Sequence, residues 1–581
     1  GKYLFFVSDR DFNPVYSRTE WNHAYLNMSR IYLVTLTGDI KSPFEPRSDE
    51  VKVSAEPGKD NKPTVEKGGS EKVVVRVEAT GIKDRIVGLP VEISRYFRLT
   101  SVGDRLYYLK RSFSDRQSNL KYYDLVKREE KDLGNLSSYI ISANQKKMLV
   151  QQGRNYAIID LPIAPLKIEE KLNLSDLEVW LDRKAEWAQI FEESWRQMKD
   201  FFYAPNMHGV DWEKVKTQYE PLAKAVNHRA DLTYVIGEMI GELNCGHTYV
   251  GGGDLPTVER INVGRLGAKL EHETKTGFYK IKQILPGQNW ARELRSPLTE
   301  IGVKAKEGDY IIAINGQPVN QVKDIYQLLV NTAGKQVTLR LNVRPEEKGA
   351  WETVVVPIET ENSLVYYNWV KKNAEIVAKA TDGQVGYIHV PDMGVRGLNE
   401  FVKHFYPQVN KKALIIDVRG NGGGNVSPML IERLSREVAM IGIARGSVPR
   451  PDPEALIMGP KVCLINEFSA SDGDIFPYRF KRYQLGKLIG KKTWGGVVGI
   501  RGTLPLTDGG YLNKPEFAIY SLEGQWIIEG EGVEPDIYVD NDPAKEYEGI
   551  DEQLNKAIEV ILQELKTKEQ KIPPVPPYPK K

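Results

Sequence analysis

Two loops in the last third of the chain hold residues that packing alone does not require. The first, Asp417-Val418-Arg419-Gly420-Asn421-Gly422-Gly423-Gly424-Asn425, follows an apolar run. Consecutive glycines let backbone N–H groups approach a ligand closely and point at developing negative charge, which is what an oxyanion hole needs. Alone, the run suits a phosphate loop equally, but it lacks the Gly-Lys-Ser/Thr ending of a P-loop and the acidic partner of a dinucleotide site. The second, Asn466-Glu467-Phe468-Ser469-Ala470-Ser471-Asp472-Gly473-Asp474-Ile475-Phe476, puts Ser471 at a strand-to-helix junction. There the helix dipole favours the oxyanion formed when a serine attacks a carbonyl. The ordinary role of Ser or Asp at that position is a helix cap. The glycine-rich loop upstream tips the balance toward a nucleophile.

A serine nucleophile needs a base, and the seven histidines stand at 23, 208, 228, 247, 272, 389 and 404. His272 and His389 fall in strand patterns, His404 in a helix, and His23 in a region of short strands. His247, in Asn244-Cys245-Gly246-His247-Thr248-Tyr249 just past a helix, is the best placed, although loop histidines are usually plain solvated side chains.

The elements that must position these groups follow from periodicity. Residues 1–175 read as short strands in repeated units: Tyr3–Val7 with Arg30–Leu36, Arg105–Leu109 with Leu120–Leu125, and Lys147–Val150 with Tyr156–Leu161. Such repetition suggests propeller blades, three of which cannot close a ring, with an irregular antiparallel sheet as the alternative. Residues 44–72 are polar and rich in Gly, Pro, Lys and Glu, and read as a mobile insertion. A helical block, 176–255, opens with Trp187, Ile190, Phe191, Trp195, Met198 and Phe202 on one face, a core stripe rather than a ligand box. Two further helices are expected near Asp211 and Asp231, each aspartate serving as N-cap.

Residues 256–358 combine strands with one helix. Glu307-Gly308-Asp309-Tyr310-Ile311-Ile312-Ala313-Ile314-Asn315-Gly316, a helix through Ile325–Val330 and a strand at Gln336–Val343 resemble a PDZ domain, with Asn315-Gly316 as a tight hairpin turn. That resemblance implies a groove for an added peptide strand, with Leu266-Gly267-Ala268 as its carboxylate-holding turn; a PDZ fold serving only as a spacer is the other reading. Residues 359–567 alternate strands (385–390, 413–418, 440–444, 462–465) and helices (398–409, 428–436, 472–483), the pattern of α/β units. Residues 568–581 form a Pro-rich extended tail.

Composition bounds the function. At 581 residues and roughly 150 per domain, about four domains are expected. Lys plus Arg total 80 against 78 for Asp plus Glu, so no global field draws nucleic acid, and no apolar run is long enough to enter a membrane. Two cysteines, Cys245 and Cys463, make neither a disulfide framework nor a four-cysteine zinc site, and nothing calls for a metal or cofactor. The opening Gly followed at once by an apolar strand suggests a start part-way through a longer protein.

The order of Gly-His loop, PDZ domain, Asp-Val-Arg-Gly-Asn-Gly-Gly-Gly and Ser-Ala-Ser-Asp-Gly-Asp is similar to the tricorn protease family, relatives of the tail-specific proteases, over about residues 180–565, with the partial propeller in keeping. The resemblance implies a multidomain α/β protein: partial β-propeller, helical domain, PDZ domain and a crotonase-like catalytic domain. It implies Ser471 as nucleophile and His247 as general base, with an oxyanion hole from N–H groups of Asp472 and of Gly422 or Gly423. The orienting carboxylate precedes Gly532-Val533-Glu534-Pro535-Asp536, which points to Glu529, with Glu531 as alternate. In the family a serine precedes the histidine, where Gly246 stands here, so the relay would use water or a direct His247–Glu529 contact. Thr493-Trp494-Gly495-Gly496 has glycine where tail-specific proteases carry lysine, against a Ser-Lys mechanism.

The implied function is a serine endopeptidase acting on peptides or unfolded segments, assembled as a homo-oligomer, a hexamer by family resemblance. For location, the resemblance favours the periplasm over the cytoplasm. An inactive peptide- or ligand-binding protein on the same fold is the competing reading, and an enoyl-CoA-hydratase-like enzyme leaves the PDZ domain unexplained. Cleavage preference is not legible: Asp452 and Glu454 lie in the relevant stretch, and neither is assigned.

Overall fold

A computed structural model describes residues 1–17, 23–46, 75–568 and 570–580. From residue 47 to its end, the expected polar insertion lies outside them. The chain divides into two compact units, Gly1–Trp180 and Leu181–Lys581.

The first unit is built of antiparallel sheets in sequence. β1 (Tyr3–Asp9), β2 (Ser29–Thr35) and β3 (Ile86–Gly88) form one; β4 (Arg95–Val102), β5 (Arg105–Arg111), β6 (Asn119–Asp124) and β7 (Glu129–Asn135) a second; β8 (Ser138–Ile141), β9 (Lys147–Gln152) and β10 (Asn155–Asp160) a third. Each expected strand pair is present, with Tyr3 opposite Thr35, Leu109 opposite Leu120 and Val150 opposite Ala157. Inward residues such as Leu33, Tyr107, Leu120 and Met148 are fully buried, which is what the alternation of these strands demands.

The second unit starts with three helices. α1 (Arg183–Phe201) is capped by Asp182, whose carboxylate accepts the N–H groups of Lys184 and Ala185, and α2 (Trp212–Ala225) by Asp211. The apolar stripe is core, and Trp195 and Trp212 each donate an indole N–H to the other's carbonyl, at 2.9 and 3.0 Å. α3 (Arg229–Gly241) begins earlier than expected. Its cap is His228, whose Nδ1 accepts from the Ala230 N–H, and Asp231 lies inside the first turn, where its charge still suits the dipole.

Next comes a sheet ordered β11 (Ala268–His272), β12 (Tyr279–Ile284), β13 (Tyr310–Ile314), β14 (Val337–Asn342), β15 (Trp351–Val355), leaving β11 on an edge. Asn315 and Gly316 both adopt positive φ, the two-residue hairpin their types favour. The expected helix is a 3₁₀ turn, Ile325–Leu329.

After α4 (Asn362–Ala380), a parallel sheet of β16 (Val385–His389), β17 (Ala413–Asp417), β18 (Lys461–Ile465), β19 (Gly486–Gly490) and β20 (Ile537–Tyr538) carries α5 (Val395–Phe405), α6 (Ser427–Leu434), α7 (Asp472–Arg482) and α8 (Glu552–Lys568). β16, β17 and β18 are buried at every residue, as strands covered on both faces must be. One expected strand of this sheet is not in it: Met440–Gly442 pairs antiparallel with Arg450–Asp452 in a separate hairpin. Its Met440 is largely exposed, so the apolar run has no sheet to bury itself against.

Candidate active site

Ser471 is the N-cap residue of α7, at φ 59° and ψ −121°, a region that costs a non-glycine residue about 1–3 kcal/mol. The neighbouring loop holds it there: Ala470 donates its N–H to the Asn421 carbonyl at 2.8 Å, and Ser469 Oγ donates to the Val418 carbonyl at 2.8 Å. Thus the two loops picked out by residue type form one assembly. Gly423, at φ +87°, lies so close that a Cβ there would be 2.6 Å from the Ser471 Cβ. Its N–H is already given to Asn421 Oδ1 at 2.9 Å, however. The N–H groups of Gly422 and Asp472 have no acceptor among the described residues, the latter as a first-turn orphan of α7. The Asp472 carboxylate turns away and accepts both the N–H and the hydroxyl of Ser427.

His247 lies past the end of α3, also at positive φ, 62°. Its half-buried ring is flanked edge-on by Trp494 and Tyr249, with centroids at 6.0 and 6.1 Å. Burial lowers its pKa from 6.5, and the negative charge of Glu529 opposes that shift. Nδ1 is buried and has no hydrogen-bond partner among the described residues.

Glu529 follows Ile528, a buried β-branched residue at φ 72°. Its Oε1 accepts the Gly246 N–H at 2.6 Å, and its Oε2 accepts those of Val497 at 2.6 Å and Val498 at 2.9 Å. The carboxylate is thus held by backbone directly before the histidine. Among the described residues no hydrogen bond joins His247 to either Glu529 or Ser471, although the Glu529 charge acts on the ring, and catalytic bonds often close only with substrate bound. Glu531 is exposed. The absence of a side chain at residue 246 has a steric reason, since a Cβ there would sit 2.9 Å from Gly496 Cα and 3.2 Å from Glu529 Oε1.

Several residues that shape this site carry no signal of that role in their type and spacing. Asp474 is fully buried, accepts the Gly495 N–H at 2.7 Å through Oδ1, and leaves Oδ2 unpartnered among the described residues. Burial pushes its pKa up to about 6. It ties α7 to the 493–498 loop, which supports Glu529 and flanks His247. Burial and the nearby Glu529 also raise the pKa of the Cys245 thiol. Asp474 was visible as the last residue of Ser-Asp-Gly-Asp, whereas the N–H groups of Val497 and Val498 leave no trace in side-chain type.

The block carrying His247 is stitched to the parallel-sheet domain. Val250–Gly251 pairs with Tyr511–Leu512, and the fully buried Arg229 donates to Asp508 Oδ2 at 2.6 Å. Other histidines are engaged elsewhere: His208 with Tyr203 and the Leu243 carbonyl, His389 with Tyr366 and the Arg419 carbonyl, His404 with Glu400.

Domain profiles match along the chain in the order described: the tricorn protease second β-propeller domain at residues 1–162, the tricorn protease C1 domain at 183–241, the tricorn protease PDZ domain at 264–360 and peptidase family S41 at 384–539. The chain belongs to the tricorn protease family. A tricorn protease homolog of Streptomyces coelicolor is 33% identical, over 99% of this chain and 55% of its own length. One from Saccharolobus solfataricus is 33% identical over 97% of this chain and 52% of its own. The crystal structure of the tricorn protease superposes with a TM-score of 0.84 at 26% identity, covering 97% of this chain and 54% of that one. The chain therefore spans about half the length of these tricorn relatives. No described helix is long and apolar enough to cross a membrane.

Proposed function

We propose that this chain is a serine peptidase that cleaves peptides or unfolded segments through an acyl-enzyme on Ser471. The observation that carries the reading is the joining of Ser471, in a strained turn at a helix N-terminus, to a glycine-rich loop whose Gly422 N–H has no acceptor among the described residues. In the proposed cycle neutral His247 takes the Ser471 proton as the hydroxyl attacks the scissile carbonyl, then returns it to the leaving amine. The N–H groups of Asp472 and Gly422 receive the oxyanion, Gly423 shaping the turn instead of donating. Glu529 stabilises the imidazolium by charge while fixing the loop in front of it, a positioning role in this reading. By family resemblance the working form is a homo-oligomer, a hexamer, which light scattering of the purified chain measures.

A serine-directed phosphonate should label Ser471 and stop cleavage of a fluorogenic peptide, and Ser471→Ala should lose both, with turnover down by about 10⁴-fold or more. An unaltered, folded chain that is neither labelled nor active on any unfolded substrate sinks the proposal and leaves the inactive binding protein.

A further inference from the structure

The Leu266-Gly267-Ala268 turn of the PDZ domain is already filled. Oε1 of Glu361 accepts the N–H of Gly267 at 2.8 Å and that of Ala268 at 3.1 Å. Capture of a carboxylate by successive backbone N–H groups at the start of an edge strand is how a PDZ turn receives a peptide's C-terminus. Here β11, which begins at Ala268, has a sheet neighbour only on its β12 side. The carboxylate that occupies the turn belongs to the chain itself, one residue before α4.

The surrounding packing makes this a fitted contact. Leu364, in the first turn of α4 and only 1% exposed, presses on the same turn. A Cβ on Gly267 would be 3.3 Å from Leu364 Cδ1 and 3.1 Å from Pro297 Cδ, and one on Gly287 would be 2.8 Å from Leu364 Cδ2. Asn368, one turn further along α4, donates to the Pro286 carbonyl at 2.8 Å. An acidic group and an aliphatic side chain thus arrive together, the two features a PDZ turn reads in a terminal residue.

We propose that Glu361 stands in for the terminal carboxylate of a peptide and keeps this PDZ turn closed to peptide C-termini, fastening the PDZ domain to the domain that carries Ser471. The turn is then a clasp between two domains, and a free C-terminus enters only by displacing Glu361. The inference is independent of which residues perform catalysis.

Binding is read on the full chain carrying Ser471→Ala, so that no probe is cleaved. The probes are a fluorescein-labelled nonapeptide ending in leucine with a free carboxylate, and the same peptide as its C-terminal amide, titrated by fluorescence anisotropy. With Glu361 present the two should bind alike. With Glu361→Ala the free acid should bind at least tenfold more tightly than the amide. An acid preference of equal size in both proteins overturns the proposal, as does a folded Glu361→Ala chain with none. Should Glu361→Ala fail to fold, hydrogen exchange at Gly267 and Ala268 decides on Glu361→Gln: at least tenfold faster exchange supports the clasp, and unchanged exchange overturns it.

Discussion

The carboxylates of Glu529 and Glu361 are both gripped by backbone N–H groups, and they differ in what stands beside them. Glu529 takes three donors from two segments, Gly246 on one side and Val497 and Val498 on the other, next to a half-buried histidine. Glu361 takes two adjacent donors from one turn, with Leu364 beside it. In the roles proposed above the same device serves electrostatics in the first case and assembly in the second, because only the first puts its charge where a proton is expected to move. Charge-assisted bonds of this kind contribute about 1.5–3 kcal/mol each, so both fix geometry firmly.

The contrast breaks most visibly in activity. Glu529→Gln keeps the size of the side chain but turns an amide N–H toward backbone donors and removes the charge, so kcat/KM on a fluorogenic peptide should fall about 10²–10⁴-fold, whereas Glu361→Gln should cost less than tenfold. Equal losses would erase the distinction. Next in size, Gly246→Ala forces a Cβ against Gly496 and Glu529, and should lower activity about 10–100-fold and stability by about 1–3 kcal/mol, read by kinetics and thermal melts.

The pH profile sharpens the comparison further. Because burial lowers the His247 pKa, the base is neutral at pH 7, and the acid limb of kcat/KM should have its midpoint below 6.5. Removing the Glu529 charge should move that midpoint further toward acid, and Glu361→Gln should leave it in place. The smallest effect is expected at Asp474, whose raised pKa means that its contribution is fully present below 3.8 and is lost as pH rises through about 6. Asp474→Asn should therefore be more stable than the native chain at pH 8, by about 1–3 kcal/mol, with the gap closing toward pH 4 in denaturant titrations.

Much of this arrangement is legible in residue type. Gly-Gly-Gly beside Ser-Asp-Gly-Asp marks the turn that holds Ser471, because close approach and a helix N-terminus demand those residues, and Asp211 marks a helix start for the same kind of reason. His228 carries no cap signal in its type, because a ring nitrogen seldom serves as one. The run 440–444 reads as a sheet strand because a short apolar run carries no record of its partner. Least legible were the contacts made through backbone alone. Of the two glycines the resemblance offers as oxyanion donors, Gly422 and Gly423, the second donates to Asn421, and although the PDZ resemblance marks Leu266-Gly267-Ala268 as a carboxylate-holding turn, nothing in residue type names Glu361 as its carboxylate or Gly246, Val497 and Val498 as the donors to Glu529. Strain escaped in the same way: Ser471, His247 and Ile528 all sit at positive φ, a cost that only the surrounding structure can hold in place.

The bond from Gly246 to Glu529 spans 283 positions of sequence. As a ribosome releases this protein, the segment bearing the histidine emerges long before the acid that steadies it. A chain stopped anywhere between them carries a histidine loop with neither nucleophile turn nor carboxylate in place, or with the first and not the second. On this reading the residues proposed for hydrolysis are complete only once position 529 has been made, well after Glu361 and the turn it occupies.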